Sequence, residues 1–229
     1  MTSAATYLRC VWRLVRKDAR RECRARMTWP AVLLLGFTLV LTLELQADFP
    51  VDVKRQFVGS LLWLAMFFAG TLSLERSFAD ENDNGCWDAL RMCPVPPAAI
   101  YTAKLAFNFA MLMAAAAVLI PLLTVLSDAA FFDRPLAMLL VTVLANLGLA
   151  AVGTLIGAMV GGVRRRSNLI VLLLLPLIMP VMLGAGEATR LVIQGKLDEE
   201  FWRWIQLVAA FDVLFVTASL LFFEFVMEE

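Results

Sequence analysis

The sequence predicts an all-α polytopic membrane protein, with six transmembrane helices behind an N-terminal amphipathic interfacial helix, in one membrane domain over residues 1–229. Three observations predict it. Of the 229 residues, 61% are hydrophobic, against about half in a soluble domain, and the mean hydropathy is +0.79. The apolar residues fall in blocks of about 17 to 25, the length a helix needs to cross a hydrocarbon core of about 30 Å. Clusters of charge separate almost every block from the next.

Residues 4–27 come first. Tyr7, Leu8, Val11, Leu14 and Val15 recur at helical spacing, while Arg9, Arg13, Arg16, Lys17, Arg20, Arg21 and Arg24 cover the remaining face. This pattern predicts a basic amphipathic helix lying in the membrane interface, with Trp12 at headgroup level. Thr28 caps the next helix and Pro30 sits in its first turn. The six spans are expected at 30–45, 57–74, 104–126, 135–160, 169–186 and 204–227. A short polar loop is expected at 46–56, a long polar segment at 75–103, a tight connection at 127–134 and an arginine loop at 161–168. A polar stretch at 187–203 follows the prolines of the fifth span, and a short re-entrant or surface helix pair is one expectation for it.

Orientation follows from the basic residues. Eight Lys or Arg lie in the first 27 residues, three more are Arg76, Arg91 and Lys104, and three are Arg164, Arg165 and Arg166. The other side has six: Lys54, Arg55, Arg134, Arg190, Lys196 and Arg203. The expected arrangement is a multi-pass protein of a bacterial inner (cytoplasmic) membrane with both termini in the cytoplasm and no cleavable signal peptide. Cys10, Cys23, Cys86 and Cys93 then face the cytoplasm as free thiols.

Composition excludes several chemistries. There is no histidine and no CxxC, so a Ser–His–Asp triad, His-ligated haem and HExxH metal chemistry are ruled out, and no metal site is expected. No GxxxxGK[ST] phosphate loop occurs, so ATP is not hydrolysed by that route here. The net charge of zero gives no pull toward nucleic acid. The chain is therefore expected not to be an enzyme, with no catalytic residues and no cofactor bound directly.

Four features stand out for function. Gly153, Gly157 and Gly161 are spaced GxxxGxxxG on one helix face, either a dimer seam or packing within one subunit. Pro176 and Pro180 predict a kink or break in the fifth span. Asp212 lies within the sixth span, where an ionisable side chain is expensive and should face protein or water; it either lines a substrate path or contacts a partner, or is a buried residue bonded to a neighbouring hydroxyl. Glu224 is placed near the end of that span and snorkels to the interface. The 75–103 segment carries Glu75, Arg76, Gly85, Trp87, Leu90 and Arg91 before a proline stop. A short helix over 85–92 would present Trp87, Leu90 and Arg91 for docking into a partner's groove.

Two blocks carry a resemblance to a known family. Leu74-Glu75-Arg76-Ser77-Phe78-Ala79, an acidic run, Gly85, Leu90, Pro94-Val95-Pro96, Ala99-Ile100-Tyr101 and Lys104-Leu105 form the first. Leu147–Leu155, Arg164–Arg166, Leu172–Pro176 and Pro180-Val181 form the second. Together they resemble the haem exporter protein B family (CcmB), the permease subunit of an ABC transporter for c-type cytochrome maturation. The resemblance implies an ABC exporter permease fold and two copies of the chain paired with two copies of a cytoplasmic ABC ATPase subunit. ATP and Mg would be held by that partner, and haem handled by the complex together with a haem-handling membrane subunit and a haem chaperone. It makes the 75–103 loop a coupling helix, with Glu75, Arg76, Gly85, Trp87, Leu90 and Arg91 on the ATPase. Cys86, Trp87 and Cys93 depart from the family's plainer residues. The alternatives are a membrane scaffold that only anchors the ATPase, and a permease for a lipid or drug.

Overall fold

The computed structural model describes residues 4–25, 34, 37, 38, 41, 51–83, 96–127, 131–160 and 167–228. They form six long helices: α1 (Ala4–Ala25), α2 (Val51–Asp83), α3 (Pro97–Ser127), α4 (Pro135–Val160), α5 (Ser167–Ile193) and α6 (Glu199–Glu228). Among the described residues there is no strand. Five helices contain stretches long and apolar enough to cross a membrane: Phe57–Leu74, Pro97–Ser127, Pro135–Met159, Leu172–Ile193 and Glu199–Phe223. The first expected span, 30–45, lies mostly outside the described residues. Within it Leu34, Phe37, Thr38 and Leu41 are helical and exposed.

The helices outrun the spans read from hydropathy. α2 has 33 residues and α3 has 31, about 50 and 46 Å at 1.5 Å per residue, against a core of about 30 Å. Their polar turns continue the helix beyond the apolar stretch. So α2 begins at Val51 inside the expected loop, and takes in Glu75, Arg76 and Asp80 at its other end. α3 begins at Pro97, two turns before Lys104, and α6 begins at Glu199 rather than Trp204. α4 spans Pro135–Val160, the bounds expected for the fourth span.

The fifth helix requires a correction. It is continuous from Ser167 to Ile193 through Pro176 and Pro180, so neither proline ends it. The expected re-entrant pair after Gly186 is instead two further turns of α5. Glu187 and Arg190 pair across one turn at 2.6 Å, and Ala188, Leu191 and Val192 are buried, so polar side chains there sit on a helix that still packs. The helix stops at a Schellman motif. Gly195 takes φ +72°, Lys196 N–H donates to the Leu191 carbonyl at 2.9 Å and Gly195 N–H to that of Val192 at 3.0 Å. Asp198 then caps α6, accepting from Trp202 N–H at 3.3 Å, with Glu199 and Glu200 in the first turn.

α4 is the central helix, in contact with α2, α3, α5 and α6. Its sequence explains this. Ala145, Gly148, Ala150, Ala151, Gly153, Gly157 and Ala158 are all small and buried, so backbones on several sides come close. α6 presents one stripe to the bundle, made of Phe201, Ile205, Val208, Asp212, Phe215, Ser219 and Phe223, all buried. α2 and α5 meet through glycines: a side chain on Gly59 would press on the Gly186 carbonyl at 3.1 Å. Beside them buried Trp63 Nε1 donates to Thr189 Oγ1 at 2.9 Å.

Candidate functional site

Two polar regions sit within this apolar bundle. The first joins α1 to the start of α3. Tyr7 Oη donates to the Ala98 carbonyl at 3.1 Å and lies 2.9 Å from Thr102 Oγ1. Lys104 and Asp18 pair at 3.2 Å, 5% and 7% exposed, and Lys17 approaches the other carboxylate oxygen at 3.5 Å. Leu14 packs on a cluster of Ile100, Tyr101, Ala158 and Phe223. The helical spacing of Tyr7, Val11, Leu14 and Asp18 marks this face. Asp18 escaped the sequence reading because it is one acid in a basic segment and its partner is 86 positions away.

The second region is a ladder along α4, over about 12 Å of helix. Nearest α1, Thr154 Oγ1 accepts from Asn108 Nδ2 of α3 at 3.0 Å. One turn on, the Ala151 carbonyl accepts from Tyr101 Oη at 3.3 Å and Ser219 Oγ at 3.4 Å, so α3, α4 and α6 converge on one oxygen. Next, Asp212 of α6 is 3% exposed and lies over Gly148, where any side chain would strike Asp212 Oδ1. Last, Asn146 Nδ2 reaches Met113 Sδ at 3.5 Å. Four oxygens in this ladder have no hydrogen-bond partner among the described residues: Asn108 Oδ1, Asn146 Oδ1 and both oxygens of Asp212. Buried polar atoms are almost always satisfied, so an unpartnered carboxylate at mid-helix marks the position most in need of explanation.

The structure does not bring the expected site residues together. Glu75 and Arg76 are helical residues of α2, about two turns before its end at Asp83. Gly85, Trp87, Leu90 and Arg91, with the expected short helix 85–92, lie outside the described residues. Gly153 packs on Leu74 of α2, whose methyl fills the space a side chain would take. Gly157 is buried and Gly161 lies outside the described residues. Asp212 lies at the level of Gly148, with Ser219 and Phe223 between it and the α1 face along α6. No group of three or more His, Cys, Asp or Glu able to hold a metal ion occurs among the described residues. A cavity of about 180 Å³ opens between α3 and α4 at the end away from α1, lined by Met113, Ile120, Phe131, Phe132 and Met138. It is smaller than the about 300–1,000 Å³ of ordinary ligand sites.

A helical bundle of this kind, with no assembled catalytic set among its described residues, matches one family model over nearly its whole length. The model described as CcmB protein covers residues 9–227. The chain belongs to the CcmB family. That match runs through α1, the five apolar helices and the segment between α2 and α3. Among curated proteins, the heme exporter protein B of Rhodobacter capsulatus is 29% identical over 147 residues, covering 63% of this chain and 66% of that relative's length. The heme exporter protein B of Pseudomonas aeruginosa is 27% identical over 194 residues, covering 83% and 86%. CcmB membership and the apolar helices make the chain a multi-pass membrane protein of the transporter-permease kind.

Proposed function

We propose that this chain is the permease subunit of an ABC transporter in c-type cytochrome biogenesis, working with a separate ATPase toward haem export or release of a haem-loaded chaperone. The observation that carries the reading is the family match over residues 9–227, joined by relatives named heme exporter protein B. The chain would sit in a bacterial inner membrane with both termini cytoplasmic, a reading supported by the basic residues of α1 and by Arg164, Arg165 and Arg166. Two copies would pair with two ATPase subunits, alongside a haem-handling membrane subunit and a haem chaperone.

The coupling element in this reading is the segment after α2. Glu75 and Arg76 lead into it, and Gly85, Trp87, Leu90 and Arg91 meet the ATPase. α2 and α3 are rigid helices packed on each other and on α4. Displacement of the segment between them is therefore transmitted to α4. Against α4, at Gly148, the least satisfied group is Asp212 of α6. We place the functional weight of Asp212 there: a ligand or nucleotide state shifts the bundle only through a difference in contacts between two arrangements, and Asp212 gains the most from a new partner. For Gly153 and Gly157 we propose packing within one subunit.

The test is co-purification. The native chain, expressed with the ABC ATPase of the same operon, retains it through affinity capture. The Trp87→Ala, Leu90→Asp double variant loses it while remaining in the membrane. Equal capture of the ATPase by both chains would reject the docking assignment.

A further inference from the structure

α1 is divided lengthwise into three strips. At 3.6 residues per turn, Tyr7, Val11, Leu14 and Asp18 fall on one side, and this side is held to the bundle by the contacts to Ala98, Thr102 and Lys104. On the opposite side Arg9, Arg13, Arg16 and Arg20 lie within about 60° of each other around the axis, and all four are exposed. Between the two, Leu8 and Trp12 form an apolar strip, 65% and 67% exposed. Among the described residues none of the four arginines has an ion-pair partner. Of the two acids in α1, Asp18 is engaged with Lys104, and Glu22 falls outside the angular range of the arginine row at 3.6 residues per turn.

This order of strips matches one environment. An exposed leucine and tryptophan, flanked on one side by a row of cations, is the cross-section of a helix at a bilayer surface: the apolar strip enters the acyl boundary and the cations stand at the phosphates. The depth agrees. α3 is about 16 Å longer than the hydrocarbon core, and α1 is fastened across the first turns of α3, at Ala98, Thr102 and Lys104. Guanidinium forks pair with phosphate oxygens in two parallel hydrogen bonds, and four in a row supply charge that a zwitterionic surface does not balance.

We propose that the Arg9–Arg13–Arg16–Arg20 row of α1 is a binding strip for acidic phospholipid headgroups. The contiguous Leu8–Trp12 strip assigns the phosphate to a lipid rather than to a soluble anion, because a soluble anion leaves that strip in water. The inference is independent of what the protein transports.

The full-length protein in nanodiscs of phosphatidylcholine alone, or with phosphatidylglycerol, provides the test. Phosphatidylglycerol is expected to raise the melting temperature and to be retained over phosphatidylcholine in native mass spectrometry by about tenfold or more, because basic residues near the surface attract acidic headgroups. The Arg9→Gln, Arg13→Gln, Arg16→Gln, Arg20→Gln variant keeps unbranched polar side chains of similar helix propensity, removes the charge and loses both effects. Retention unchanged in that variant overturns the proposal, as does inorganic phosphate alone reproducing the melting shift in phosphatidylcholine discs. If the variant does not fold, the native chain decides: the phosphatidylglycerol preference must weaken with added salt, and a salt-independent preference overturns the proposal.

Discussion

Lys104 and Asp212 are both ionisable side chains taken almost fully out of solvent, and the fold treats them in opposite ways. Lys104, 4% exposed, is met by Asp18 at 3.2 Å, and the pair fastens one helix to another. Asp212, 3% exposed, is met by Gly148, and neither of its oxygens has a hydrogen-bond partner among the described residues. A buried charge with a partner is part of a structure; removing either partner strands the other. A buried carboxylate without one contributes nothing to holding this arrangement together. The proposed function gives it that partner in a second arrangement of the bundle.

The comparison breaks most readily at Lys104. Lys104→Met leaves Asp18 buried without its main counter-charge and is expected to cost about 3–5 kcal/mol, read as a fall in melting temperature in detergent. The Asp18→Leu, Lys104→Met double variant removes both charges and should recover most of that loss; additive losses would contradict a paired role. At the seam between α2 and α4, Gly153→Leu drives a side chain into Leu74. Overpacking of this kind costs about 1–3 kcal/mol, and Gly153→Leu combined with Leu74→Ala should return part of it. A smaller effect is expected at α2 and α5: Trp63→Phe removes the hydrogen bond to Thr189, worth about 0.5–1.5 kcal/mol, with Thr189→Val as the matching change. The smallest effect on stability belongs to Asp212→Asn. No hydrogen bond is lost, so stability should stay within about 1 kcal/mol of the native chain, while haem delivery to c-type cytochromes falls. Full delivery with Asn at this position would remove the functional role assigned to the carboxylate.

The two residues also differ in how far they could be read in advance. Asp212 stands out in the sequence because it interrupts an apolar span, and one chain of letters suffices to see that. Its contact with Gly148 depends on how α6 is rotated against α4, which no local pattern sets. Lys104 looks like an ordinary boundary residue, and its pairing with Asp18 joins positions on separate helices. The hint available was the spacing of Tyr7, Leu14 and Asp18 on one face of α1. Five of the expected spans were legible because apolar length is dictated by bilayer thickness. Helix ends were not, because helices carry polar turns past the bilayer, as α2 does at Glu75 and α5 at Glu187. Pro176 and Pro180 were read as a break; their missing donors and fixed φ do not end a helix whose Leu174, Ile178 and Val181 are buried against its neighbours.

The central claim, that the chain serves haem delivery to c-type cytochromes, is tested most directly by deleting the gene and staining membrane proteins for covalently bound haem after gel separation. The account predicts that the stained c-type bands disappear and return with the native gene, but return weakly with Asp212→Asn at equal protein level. Unchanged covalent haem in the deletion strain would contradict it.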